Sequence, residues 1–170
     1  MTPEQASTIA EFLLPQIEQE IQTTARVLAA VPDDKKSYTP HNTCMKAGEL
    51  AEHISGADLW FLEAVVNASF STFPVPTDRS TAELAENYQA DASILREKIK
   101  GLSGEYLAKD VTFHGFTLPN ITFLHLMQKH SVHHRGQLTA YLRPMGARVP
   151  SIYGGSADEP LAAAAAPDKN

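Results

Sequence analysis

Four stretches with apolar residues at helical spacing, separated by segments rich in proline and small polar residues, commit most of this chain to packed helices. The first runs from Pro3 to about Ala30 and carries Ile9, Phe12, Leu13, Ile17, Ile21, Ala25 and Leu28 on one face. Thr2 as cap, Pro3 at the first helical position and Gln5 completing a capping box mark its start. Pro15 interrupts the pattern, so a bend or break is expected near Leu14. After a linker from Val31 to Pro40, a second helix is expected from Thr43 to about Asn67, with Asn42 or Thr43 as cap. Phe70 to Arg79 holds Pro74 and Pro76 and reads as loop. Ser80-Thr-Ala-Glu83 is a capping box that opens a third helix reaching about Ile99, with Gly101 as its stop. Val111 to Leu118, centred on Gly115, predicts a short hairpin or extended loop. Pro119 then opens a fourth helix to roughly Arg143, ended by Pro144 and Gly146. Four such helices with few strand signals predict an all-α four-helix bundle.

A chain of 170 residues suits one domain, assigned here to residues 1–155, with 156–170 as a tail. The alanines Ala162 to Ala166 in that tail favour helix but show no apolar stripe. The formal net charge is −6, and no Lys/Arg cluster offers phosphates a concentrated positive face, so a nucleic-acid partner is not expected. No apolar run is long enough to span a bilayer, and Met-Thr-Pro-Glu-Gln does not read as a secretory signal. The single cysteine, Cys44, rules out an internal disulfide framework and reads as a small buried residue. The default compartment is the cytoplasm.

The chemistry concentrates in residues 130–137, His-Ser-Val-His-His-Arg-Gly-Gln. His130 and His134 lie four apart and project from one helical face, close enough to share a metal ion. On a helical wheel they join Phe123, Met127, Leu138, Tyr141 and Met145 in a stripe about 80° wide, the stripe a bundle buries. His53 repeats the pattern upstream, among Leu50, Ala57, Trp60, Phe61 and Ala64. Polar nitrogens in apolar stripes need partners. Spacing alone leaves two readings open: ordinary hydrogen-bonded core histidines, or a three-histidine site with open coordination positions. His133 falls about 100° from His134, beside the stripe. Gln137 lies at its edge, able to hydrogen-bond a ligand histidine or a bound water. His41, His114 and His125 read as surface residues.

The segment HSVHHRGQLTAYLRPMG from His130 to Gly146, followed by Val-Pro and Ile-Tyr-Gly within 149–154, resembles the fourth-helix signature of the DinB-like family of bacterial metalloproteins. The upstream Leu-Ala-Glu-His53 looks like that family's first-ligand segment. The resemblance implies an up-up-down-down bundle, a divalent metal, zinc or nickel, held by His53, His130 and His134, and a homodimer. It also implies a range of activities, including S-transferases that use low-molecular-weight thiols such as bacillithiol or mycothiol, and hydrolases.

The first functional expectation is therefore a metal-dependent S-transferase, in which the metal lowers the pKa of a small thiol. Tyr141 and Gln137 are its candidate pocket groups. A hydrolase would use the metal to activate water and would want a general base. Glu49, about 40° from His53 on the wheel, is the better placed carboxylate for that base, and Glu52, about 100° away, the poorer; His133 is a further candidate. A non-enzymatic metal-binding or stress-response protein, or a purely structural bundle, completes the alternatives.

Overall fold

In the computed structural model, which describes residues 1–77 and 79–161, the chain is mostly helical. Its elements are α1 (Pro3–Ala29), a 3-10 turn (Asp33–Lys35), α2 (Ala47–Asn67), α3 (Thr81–Lys100), a short α4 (Gly104–Ala108), a hairpin of β1 (Asp110–Phe113) and β2 (Phe116–Pro119), and α5 (Thr122–Leu142). Capping decides two of the starts. Thr2 and Gln5 cap α1 reciprocally, and Ser80 and Glu83 do the same for α3.

The four long helices form the bundle. α1 packs on α3 and α5, and α2 packs on the same two, so α1 and α2 lie diagonally opposed. Cross-helix contacts give the directions. Asn120 Nδ2 donates to the Val65 carbonyl at 2.8 Å while Ser131 reaches Asp58, so α5 runs antiparallel to α2. Arg96 pairs with Glu18, and Thr81 bonds the Val31 carbonyl, so α3 opposes α1. Phe12 lines a groove with His125, and Arg135 bonds Thr24, so α5 runs parallel to α1. The order is up, down, down, up rather than the up-up-down-down that the resemblance implied. Residues 30–46 return the chain at the end where α1 stops, and the long crossover is instead 68–80, joining the parallel α2 and α3.

Leu13, Ile17, Ile21, Leu28, Leu50, Ile54, Leu62, Ile99, Phe123, Leu124 and Leu138 fill the core. Each such side chain taken from water stabilises the fold by about 1.5–3 kcal/mol before entropy is counted. Phe12, expected on the buried face of α1, is 69% exposed, because Leu13 takes the inward position next to it. Pro15 does not break α1: the helix is continuous, the ring faces solvent, and Arg96 Nε donates to the adjacent Leu14 carbonyl at 3.1 Å.

α2 starts at Ala47 and not at Thr43, because the backbone N–H groups of Ala47 and Gly48 bond the Tyr38 and Lys36 carbonyls. Cys44 therefore precedes the helix and is exposed rather than buried. Pro119 ends β2 opposite Asp110 and does not open α5. The hairpin turns at His114 and Gly115, both at positive φ (45° and 82°).

Residues 143–161 fold back over the bundle. Asp158 accepts from Arg143 and from the Val149 amide, and Glu159 accepts from the Ser151 amide. The rest of the expected tail, 162–170 with its alanines, lies outside the described residues.

Candidate metal centre

α2 and α5 bring the three histidines together. His53 projects from the second turn of α2, and His130 and His134 from successive turns of α5. Their ligand nitrogens all lie within 4.8 Å of one another. His53 Nε2 is 3.0 Å from His130 Nε2. The ring centroids are 4.9 Å (His53–His130), 4.7 Å (His53–His134) and 4.4 Å (His130–His134) apart.

Each ring is held by its surroundings. His134 Nδ1 donates to Gln137 Oε1 at 2.7 Å, which leaves Nε2 of His134 as its free donor atom. His130 has Nδ1 buried with no hydrogen-bond partner among the described residues, while its Nε2 is the nitrogen that faces His53. Burial pushes the His130 imidazole down to about 4, aided by His134, His53 and His133. Burial, then His134, lowers His53 as well. The neutral imidazole, the form that binds metals, is thus favoured at neutral pH.

The donor set fits a divalent ion. Around a tetrahedral zinc with bonds of roughly 2.0–2.1 Å, nitrogens sit about 3.3 Å apart, near the His53–His130 separation. Three imidazoles suit zinc, nickel and several neighbours in the first transition row, so the geometry supports a divalent ion without choosing among them.

The remaining sequence candidates fall elsewhere. Glu49 turns to the start of α2, where Oε2 accepts from the Lys46 amide at 3.0 Å and Oε1 pairs with Lys46 Nζ at 3.3 Å. Those contacts hold its pKa below the ordinary carboxylate range. Glu52 accepts from Thr77 Oγ1 at 3.3 Å. Tyr141 stands edge-on to Tyr38 at 5.9 Å; burial, then a hydrogen bond with Cys44, raises its pKa. His133 is exposed, its ring 4.8 Å from that of His134. His41, His114 and His125 are exposed, as expected.

Two groups near the triad had no clear signal in the sequence. Arg135, 1% exposed, reaches Thr24 Oγ1 at 2.9 Å and bonds Glu20 and Tyr153 Oη, so the signature arginine clamps the C-terminal segment onto α1. Asp58, on α2, accepts from Tyr88 Oη and Ser131 Oγ, each at 2.9 Å. Burial pushes its carboxyl up to about 7.

A helical bundle with three histidines from two facing helices, placed to bind one metal ion, is the class this fold and site define. The chain belongs to the DinB family, whose sequence profile matches residues 6–165. It is 29% identical over 153 residues to the uncharacterized protein YrdA of Bacillus subtilis (strain 168), covering 84% of this chain and 86% of that protein. A crystal structure of a DinB-like protein from Bacillus cereus ATCC 10987 superposes with a TM-score of 0.71 at 26% identity, covering 84% of this chain and 97% of that one. The DinB-like protein YjoA of Bacillus subtilis shares the fold with a TM-score of 0.70 at 23% identity, covering 82% of this chain and 96% of that one.

Proposed function

We propose that this protein is a metal-dependent S-transferase acting on a low-molecular-weight thiol, with His53, His130 and His134 as the ligands of a zinc or nickel ion. The observation that carries the reading is the pairing of a converging three-imidazole donor set with the engagement of both nearby carboxylates elsewhere: Glu49 with Lys46 and Glu52 with Thr77. Water activation normally uses a base beside the metal, whereas a thiol needs only its pKa lowered.

When bound, the metal supplies the positive charge that favours thiolate over thiol at neutral pH. The chain's own residues do the positioning. Gln137 fixes the His134 tautomer so that Nε2 faces inward. The packing of α2 on α5 sets His53 against His130 before any ion arrives. In the transfer, the thiol proton passes to solvent and the sulfur lone pair forms the new S–C bond. The leaving group departs from the electrophile with its bonding pair. The protein is read as cytoplasmic and homodimeric; no helix among the described residues is long and apolar enough to cross a membrane.

The test is adduct formation between monochlorobimane and cysteine, bacillithiol or mycothiol, with zinc- or nickel-loaded protein. A rate above the uncatalysed reaction, lost on chelation and in His53→Ala, supports the reading. Metal-loaded protein that hydrolyses esters or amides and leaves thiols unreacted would make it a hydrolase. Metal binding without turnover of either kind would make it a metal-binding or stress-response protein.

A further inference from the structure

The flank of the triad toward the 68–80 crossover is aromatic. The Phe73 ring lies 5.8 Å from the His53 ring at a shallow 33° angle, and it is 39% exposed. Behind it stands Trp60, 5.1 Å away and edge-on, and Trp60 in turn meets Phe61, Phe70 and Phe113 at 5.5, 4.7 and 5.4 Å. Phe61 closes the circle, 6.2 Å from His130. The outer end of this cluster is open beside the histidines, and its inner end is anchored on the buried Phe123 through Phe70 at 5.0 Å.

The wall is held in place before any ligand arrives. Trp60 Nε1 donates to the Ser71 carbonyl at 2.9 Å, which ties the crossover to α2 two residues before Phe73. The Pro74 ring lies against Gly56, where an added Cβ would come within 3.1 Å of it. A rigid aromatic surface costs little ordering entropy when a ligand packs on it. Its open face rewards apolar and especially aromatic groups, which prefer offset or edge-on contact with such rings.

We propose that Phe73 and Trp60 form an aryl-binding subsite beside the triad, selecting ligands that carry an aromatic group one or two bonds from the atom seated at the histidines. The inference rests on the S-transferase reading and adds the substrate class: an aromatic or arylalkyl electrophile, or its thioether product.

The experiment separates the two claims. The probes are phenylmethanethiol and ethanethiol, titrated against cobalt-loaded protein, the visible cobalt spectrum reporting sulfur at the site and Trp60 emission reporting the wall. Trp60 is the chain's single tryptophan, so emission has one source. Phenylmethanethiol should bind roughly tenfold more tightly than ethanethiol, and only it should change the emission. In Phe73→Ala the preference should fall to within about twofold, with metal content and ethanethiol affinity unchanged. Phe73→Leu, which keeps an apolar side chain, should lose most of the aromatic preference as well. Equal binding of the two thiols, or a preference that survives in both variants, overturns the subsite and leaves the transferase reading standing. If neither thiol alters the cobalt spectrum, both readings are overturned.

Discussion

His134 Nδ1 donates to Gln137 Oε1 at 2.7 Å, one turn along the same helix, so the residue after the Arg-Gly pair of the signature sets which nitrogen of a ligand histidine faces the triad. Partners of this kind fix ring orientation and tautomer, and their loss typically weakens metal binding about 10- to 100-fold. Gln137→Ala should therefore lower zinc affinity by that order, measured by chelator competition. Gln137→Glu, which keeps the acceptor, should retain most of it. Unchanged affinity in Gln137→Ala would show that the contact does not orient the ligand.

Arg135 predicts a stability effect separate from the metal. Its buried guanidinium pairs with Glu20 and holds Tyr153, so Arg135→Ala leaves a partly buried carboxylate without its partner. Losses of about 3–5 kcal/mol are usual when one side of such a pair is removed. Tyr153→Phe removes two hydrogen bonds, the one accepted from Arg135 and the one donated to Glu20 at 2.9 Å, but leaves the ion pair, and should cost about 1–2 kcal/mol. Thermal or urea unfolding of metal-free protein measures both, and similar costs for the two variants would contradict the clamp.

Asp58 predicts a pH dependence. Burial lifts its carboxyl to about 7 against an ordinary value of 3.8, with Tyr88, Ser131 and Arg135 opposing the rise and Glu20 adding to it. The folded protein thus binds more protons than the unfolded chain between those values. The stabilising contribution is complete below about 3.8 and is lost as pH rises toward 7. Asp58→Asn cannot ionise, so its melting temperature relative to the parent protein should rise from about pH 4 and level off above about pH 7, measured without metal. The histidine contributions are common to both proteins and cancel. A difference independent of pH would show that Asp58 does not titrate in this range.

Much of the bundle was legible because its signals are local. Thr2 with Gln5 and Ser80 with Glu83 mark the starts of α1 and α3 in the sequence, and both caps form. The start of α2 was not legible, since it is set by backbone bonds from Ala47 and Gly48 to Tyr38 and Lys36 across a turn. Pro119 looked like a helix opener but is claimed by β2. α4, with only five residues, is too short to show a period. Helix direction is not encoded in periodicity at all, and only cross-helix pairs such as Asn120 with Val65 reveal it.

In the site, the spacing of His130 and His134 and the apolar setting of His53 pointed to the three side chains that the structure brings together. Glu49 fits the wheel but answers to Lys46, because the first turn of a helix offers an unpaired amide close at hand. Phe73 gave no signal, since a loop phenylalanine has no period to place it beside His53.

The most direct measurement is the metal content of untagged protein purified without added metal, set beside His53→Ala and His130→Ala. The account predicts about one zinc or nickel per chain, lost in both variants while the helical circular dichroism is kept. Protein that is metal-free and takes up neither ion, or variants that hold metal as well as the parent, would contradict it.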